Sequence, residues 1–162
     1  MVVFTGIGKN FCAGADLGDP GSDYSGPLIK RRRRRRVGER AIQAILEMDQ
    51  ITISAWNGAA AGGGGCLAIA MDFRLGTKDS LLFFSLVGPA RAKRLMVGGE
   101  RITGEKLFDW GILDEIVSPE KLMEKTYEWA DFYAGKPHIA AQMIKRSINS
   151  YATALDKAIM HS

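Results

Sequence analysis

The sequence predicts an α/β fold, an α/β layer followed by a helical carboxy-terminal part, and three observations carry that prediction. Short apolar, β-branched runs alternate with helix-like segments through the first half. Helical periodicity dominates the second half. Glycine and proline punctuate nearly every join. At 162 residues, 46% hydrophobic and 25% charged, the chain has the size and composition of a globular domain with a sizeable core.

The elements follow in order. Residues 2–5, Val-Val-Phe-Thr, form a short buried strand, and Phe11 anchors the turn-rich stretch after it. Residues 17–27 are rich in Gly, Pro, Asp and Ser and read as a loop. A helix is predicted from about Val37, with Ala41, Ile45 and Met48 on one face. Residues 51–56 form a strand; Asn57-Gly58 then turns the chain into a glycine-rich segment that starts a helix near Gly64. Two further strands are predicted at 73–75 and 81–84. Helices at 89–97 and 105–110 are stopped by Gly98-Gly99 and Gly111, and residues 112–117 are extended. Ser118-Pro119-Glu120 starts another helix, with Ser as N-cap and Pro first. Leu122, Trp129, Ala130 and Tyr133 mark its inner face. After Gly135 and Pro137, a last helix carries a stripe of Ala140, Ile144, Ile148, Tyr151, Leu155 and Ile159. There is no internal sequence repeat. The organisation expected is a core at residues 1–110, with a mobile basic loop at 18–36, and a helical region at 111–162.

Charge and cysteine content narrow the function classes. The net charge is +4, yet residues 30–36 alone supply seven basic groups, and the remaining 15 Lys and Arg face 18 Asp and Glu. The positive charge is one local feature, which argues against a domain-wide nucleic-acid surface. No apolar stretch reaches the ~18 residues of a membrane span. Met1 leads straight into a strand and not into a signal peptide. Two cysteines, Cys12 and Cys66, are too few for a disulfide scaffold. A reducing, cytoplasmic setting is expected.

Two segments carry chemistry. Phe11-Cys12-Ala13-Gly14-Ala15-Asp16-Leu17 follows the first strand. Asn57-Gly58-Ala59-Ala60-Ala61-Gly62-Gly63-Gly64-Gly65-Cys66-Leu67 lies between a strand and a helix. Either alone could be a tight crossover. Together they are specific: small residues let a ligand approach the backbone, and N–H groups at a helix start are unpaired and positively polarised. Two such donors aimed at one carbonyl oxygen stabilise the charge that develops on it.

In these segments the chain resembles the crotonase superfamily, the enoyl-CoA hydratase/isomerase family. "GKNFCAGADL" is similar to the family's first oxyanion segment and "ISAWNGAAAGGGGCLAIAMDFRLGT" to its second. "VGPARAKRLMVGGERITGEKLFDWGILDEIV" and "KPHIAAQMIKRSI" are similar to its carboxy-terminal helices. The resemblance implies a ββα spiral with a helical trimerisation region. It also implies an acyl-CoA thioester as substrate, with coenzyme A part of that substrate and no separate cofactor or metal. Further implications are a backbone oxyanion hole formed by the N–H groups of Ala15 and Gly63, with Ala13, Gly14, Asp16, Leu17, Gly62 and Gly64 lining the ligand, and assembly as a trimer or hexamer.

Departures from the family pattern accompany it. Strands that precede "MVVFTG" in the family are absent, as is a terminal helix after Ser162. Cys66 stands at the position of the hydratases' first catalytic glutamate. Their second lies on a segment that here is only Ser85-Leu86-Val87-Gly88. The chain thus reads as a family member shortened at both ends and once inside. A chain keeping the hole and lacking the acids should bind and polarise, and catalyse poorly; a non-catalytic acyl-CoA-binding or interaction scaffold is the alternative. Cys66 is either a thiolate at a helix start or a small residue filling the slot of the lost acid. The basic run is either a solvated, disordered stretch, a trap for coenzyme A phosphates, or a nucleic-acid contact. Asp72 is assigned a structural hydrogen-bonding role at a strand start, and His138 and His161 no catalytic one.

Overall fold

The computed structural model describes residues 1–16, 28–83 and 89–160, without the side chains of residues 28–35, 83, 89, 90, 92, 94, 96 and 151–160. Strands β1 (Val2–Thr5), β2 (Thr52–Trp56), β4 (Phe73–Gly76) and β7 (Glu115–Ile116) form a parallel sheet in the order β1-β2-β4-β7. A second sheet joins β3 (Ala59–Ala61), β5 (Leu81–Phe83) and β6 (Ile102–Thr103), with β3 parallel and β6 antiparallel to β5. The helices are α1 (Leu28–Glu47), α2 (Gly63–Ile69), α3 (Pro89–Gly98), α4 (Gly104–Asp109), α5 (Leu122–Ala134) and α6 (His138–Met160).

The chain visits the two sheets turn by turn. β2, β3 and α2 make one ββα unit, and β4, β5 and α3 make the next. The first turn is β1, an isolated parallel bridge from Cys12 to Ala60, and then α1. This is the expected ββα spiral. It repeats in backbone although the sequence does not repeat. With β1, β2 and β4 parallel, α1 and α2 both return the chain from the carboxy-terminal to the amino-terminal end of the sheet.

β2 is the hub. Every residue in it is buried, as in a parallel strand covered on both faces. Alternation sends Ile53 and Ala55 to one side, with Leu75 and with Leu122 and Ala130 of α5. Trp56 goes to the other, against Phe11, whose ring centroid is 6.1 Å away. The inner face of α5 is as expected at Leu122 and Ala130, and Thr126 is buried between them. Phe73 stacks on Tyr133 at 4.2 Å and meets Trp129 edge-on at 5.6 Å. Trp129 in turn donates its Nε1–H to Glu115 (2.8 Å), tying α5 to β7.

Three local expectations are corrected. Residues 28–36 are not a loop: α1 begins at Leu28, so the basic run is helical in backbone. Arg and Lys are good helix formers, and once Ile45 docks the end of α1, propagation adds one hydrogen bond per residue. Like-charge repulsion of ~0.2–0.5 kcal/mol per neighbouring pair does not stop it. Ala41 is exposed and Ile42 turns inward instead. Second, β3 is a strand in an alanine run with helical propensity, because Cys12 and β5 flank it with backbone partners. Third, Ser118 does not cap through its side chain. A 3-10 turn (Pro119–Lys121) precedes α5, and Glu120 lies below the usual carboxylate pKa, held by its own backbone N–H and then by the Ser118 hydroxyl.

Asp72 has the structural role expected of it. Its Oδ2 accepts the Thr52 N–H and Oγ1–H, both at 2.8 Å, and the Nζ of Lys145 at 2.8 Å. Lys145, 5% exposed, also donates to the Gln50 carbonyl at 2.9 Å. One carboxylate thus joins the starts of β2 and β4 to α6. Removing a single partner from a buried ion pair strands a charge, which costs ~3 kcal/mol or more. Lys145→Met should therefore lower the stability to urea by about 3 kcal/mol with an unchanged m-value, measured by equilibrium denaturation.

Candidate functional site

The two glycine-bearing segments occupy equivalent places in successive turns of the spiral, so the sheet register brings them together. Phe11 and Cys12 donate their N–H groups to the Ala59 carbonyl at 3.0 and 3.1 Å, and Ala61 donates to the Cys12 carbonyl at 3.0 Å. Cys12 pairs with Ala60. Three residues further along both segments stand Ala15 and Gly63, the two residues whose N–H groups were assigned to the oxyanion hole.

Close approach at this crossing demands glycine. A Cβ on Gly14, which adopts φ +84°, would lie 2.6 Å from the Ala61 carbonyl oxygen and 3.7 Å from the Gly63 nitrogen. A Cβ on Gly64 would meet Cys12 at three atoms, the carbonyl oxygen at 2.3 Å and Cβ and Sγ at 2.7 Å. Gly58 faces the Lys9 carbonyl equally closely. Gly63 differs: a Cβ there meets nothing within 4 Å, and the residue is exposed. The glycines at 14, 58 and 64 are therefore set by packing, and Gly63 is open to whatever lies in front of it.

Gly62 is the N-cap of α2, with φ 52° and ψ −121°, and Gly63 is the first helical residue. The first intrahelical bond runs from the Cys66 N–H to the Gly62 carbonyl at 3.1 Å. The N–H groups of Gly63, Gly64 and Gly65 precede it and have no acceptor within the helix. Ala13, Ala15 and Asp16 are exposed, and Gly62 is half-buried like Gly14. Leu17 lies outside the described residues, as do Phe84, the junction at 85–88 and His161. Cys66, half-buried, sits one turn into α2 from Gly63, on the same side of the helix. His138 is exposed at the start of α6, away from both segments in sequence.

Sequence reading missed Asn57 as a positioning residue. Its Nδ2 donates to the Gly6 and Gly8 carbonyls at 3.0 and 2.9 Å, and its Oδ1 accepts the Gly6 N–H at 3.2 Å. It pins the loop that enters the first segment onto the strand that enters the second. An Asn-Gly pair after a strand signals a turn, and that signal hid the cross-turn clamp.

A separate groove of about 550 Å³ lies between α6, the end of α5 and the start of β4, lined mainly by apolar side chains such as Leu46, Met71, Phe73, Ile144 and Ile148. None of the site residues predicted from sequence lines it. Among the described residues no cluster of His, Cys, Asp or Glu is suited to a metal ion, and no helix is long and apolar enough to cross a membrane.

Comparison with known proteins bears on the family and the fold. Residues 1–86 and 74–161 match the enoyl-CoA hydratase/isomerase family in two overlapping stretches. The change from one stretch to the other falls in the region of the short junction before α3. The chain is 28% identical to 1,2-epoxyphenylacetyl-CoA isomerase of Escherichia coli K12 over 171 residues, covering 94% of this chain and 65% of that protein. It is 27% identical to crotonyl-CoA hydratase of Syntrophomonas wolfei over 179 residues, covering 98% and 68%. The crystal structure of an enoyl-CoA hydratase from Bacillus anthracis superposes with a TM-score of 0.83 at 26% identity, over 99% of this chain and 73% of the other. The chain spans about two thirds of the length of the relatives it matches. On these matches and on the spiral that carries its glycine segments, the chain belongs to the enoyl-CoA hydratase/isomerase family of the crotonase superfamily.

Proposed function

We propose that this chain binds an acyl-CoA thioester and polarises its carbonyl with the backbone N–H groups of Ala15 and Gly63, working in the cytoplasm as a lyase or isomerase of low power. The observation that carries this is the register from Cys12–Ala60, which runs the two segments side by side towards Ala15 and Gly63. Two fixed donors on one oxygen favour the thioester enolate over the neutral ester, because charge on that oxygen grows as the enolate forms. The donors belong to the backbone, so their presence does not depend on side-chain identity. Ala13, Gly14, Asp16, Gly62 and Gly64 would line the acyl-CoA around them. Coenzyme A enters as part of the substrate, and no other cofactor is needed.

The proton chemistry is where this chain departs from a hydratase. Cys66 occupies the place from which an acid would face the thioester, and a thiol offers no carboxylate to orient water. General acid–base help is worth about 100- to 10,000-fold per group. This single replacement favours a second reading, a non-catalytic acyl-CoA-binding scaffold.

Three expected outcomes test these readings. Gly63→Pro removes one donor at the first helical position, where proline is well tolerated. It should weaken crotonyl-CoA about five-fold, the ~1 kcal/mol of one hydrogen bond, and leave free coenzyme A unaffected. Gly63→Ala keeps the N–H in open space and should change neither. Calorimetric titration gives both constants; equal loss of both ligands in Gly63→Pro would reduce Gly63 to a role in the fold. For the acid, Cys66→Glu should raise crotonyl-CoA hydration less than ten-fold in a spectrophotometric assay, since two carboxyl groups share the activation of water in the resembled hydratases. A gain of a hundred-fold or more would show that the remaining machinery is nearly complete.

Assembly is the third. α6 exposes Ile139, Met143, Ile144 and Ile148 at 59–67%, beside the apolar groove. Bare apolar surface of this kind favours association. We propose a trimer or hexamer built on this face. Multi-angle light scattering at micromolar concentration should give a multiple of three times 17.7 kDa; a monodisperse monomer contradicts it.

A further inference from the structure

The apolar groove and the glycine segments stand at opposite ends of α2. Gly63 begins that helix and Ile69, which lines the groove, ends it; seven residues at 1.5 Å each set them ~10 Å apart. The groove is therefore a separate cavity. Its volume of about 550 Å³ falls within the ~300–1,000 Å³ of small-molecule sites. Its walls are chiefly aliphatic, with the stacked pair Phe73 and Tyr133 as the aromatic part and Met71 as a side chain that adapts to irregular shapes. Ile144 and Ile148 line it from α6 and remain 59% and 62% exposed, so that wall is reached from solvent.

Three cations and one carboxylate line the groove: Arg74, Lys136, Lys145 and Asp72. Two of the cations are already held. Lys145 pairs with Asp72 at 2.8 Å and donates to the Gln50 carbonyl. Arg74 donates to the carbonyls of Ile69, Met71 and Ile112 and lies 3.9 Å from Asp114. Lys136 differs. It is exposed, and its ammonium sits 3.8 Å from the centroid of the Phe132 ring, with no carboxylate partner among the described residues. An ammonium over a ring face keeps N–H donors for an anion. Lys136 precedes α6 and Lys145 lies two turns into it, so the open cation and the closed ion pair mark different ends of the groove.

We infer that this groove binds a fatty carboxylate, with its alkyl chain against Met71, Phe73, Ile144 and Ile148 and its carboxylate on the Lys136 ammonium. A carboxylate is ionised at neutral pH and takes a charge-assisted hydrogen bond from an ammonium. Each methylene it buries raises affinity about four-fold. Asp72 repels a second carboxylate beside it, which fixes the end at which the head group rests. Association and ligand binding use different rows of α6. Ile139 and Met143 form one row four residues apart, and Ile144 and Ile148 form another, ~140° round the helix at ~100° per residue. Only the second row lines the groove. The inference is independent of the thioester reading, which concerns the other end of α2.

The test is calorimetric titration of the full chain with sodium decanoate, sodium octanoate and decan-1-ol. Decanoate should bind at one site per chain, and octanoate, two methylenes shorter, about ten-fold more weakly. Lys136→Gln should weaken decanoate about five-fold and leave decan-1-ol unchanged. Ile144→Glu should weaken both about ten-fold or more, since it puts a charge in the apolar wall. Both side chains are exposed, so circular dichroism should show both variants folded. Absence of saturable decanoate binding, or parent affinity for decanoate in either variant, overturns the inference. Displacement of decanoate by crotonyl-CoA equimolar with it also overturns it, and would place the fatty chain at the glycine segments. So does a fall in the light-scattering mass on adding decanoate, which would assign the groove to a second copy of this chain.

Discussion

The fold depends on one constraint: successive turns of the spiral must lie backbone to backbone at β-sheet spacing. That spacing leaves no room for a Cβ where the turns cross. Gly14 against Ala61, Gly58 against Lys9 and Gly64 against Cys12 each occupy a place where a methyl group would fall within 2.6 Å of a carbonyl oxygen. The hydrogen bonds between Phe11, Cys12, Ala59 and Ala61 form only because those glycines permit the approach. A glycine-rich segment is entropically costly to order. Here the cost is offset by ladder bonds and by the two cores on either side of β2.

Those cores pack the crossing on both sides of β2. β2 is fully buried, and its alternation commits Trp56 to the core beside the glycine crossing and Ile53 and Ala55 to the core under α5. The starts of β2 and β4 are fastened to α6 by one carboxylate, Asp72, with Lys145 and Thr52 as its partners. Asn57 fastens the two loops at the other end. The glycine segments are therefore held at both ends of β2 by polar contacts and between them by packing.

A site made of backbone has a functional consequence. Donors supplied by N–H groups survive almost any side-chain change that preserves the crossing, whereas acids supplied by side chains vanish with a single substitution. In this chain the crossing is intact, and Cys66 lies one turn into α2 from Gly63. Under the proposed function, thioester binding and weak polarisation of its carbonyl are what such a backbone site would retain.

The sequence by itself determined a good part of this. β1, β2, β4 and β5 were legible because β-branched and apolar runs bounded by glycine have few other uses. The inner face of α5 was legible from its spacing. The glycine segments were legible as a paired feature, and the structure brings them side by side. Tertiary structure decided the rest. Ala59–Ala61 became a strand only because Cys12 and Leu81–Phe83 flank it, which no local propensity encodes. Residues 28–36 became helical because α1 is anchored at its far end by Ile45, a contact with no local signature in the run itself. Asn57 became a clamp only because Gly6 and Gly8, about fifty residues earlier in the chain, are brought beside it by the parallel register. Local sequence specifies what each segment prefers. Which backbone groups meet across turns is set by a register that exists only once the whole spiral has closed on its core.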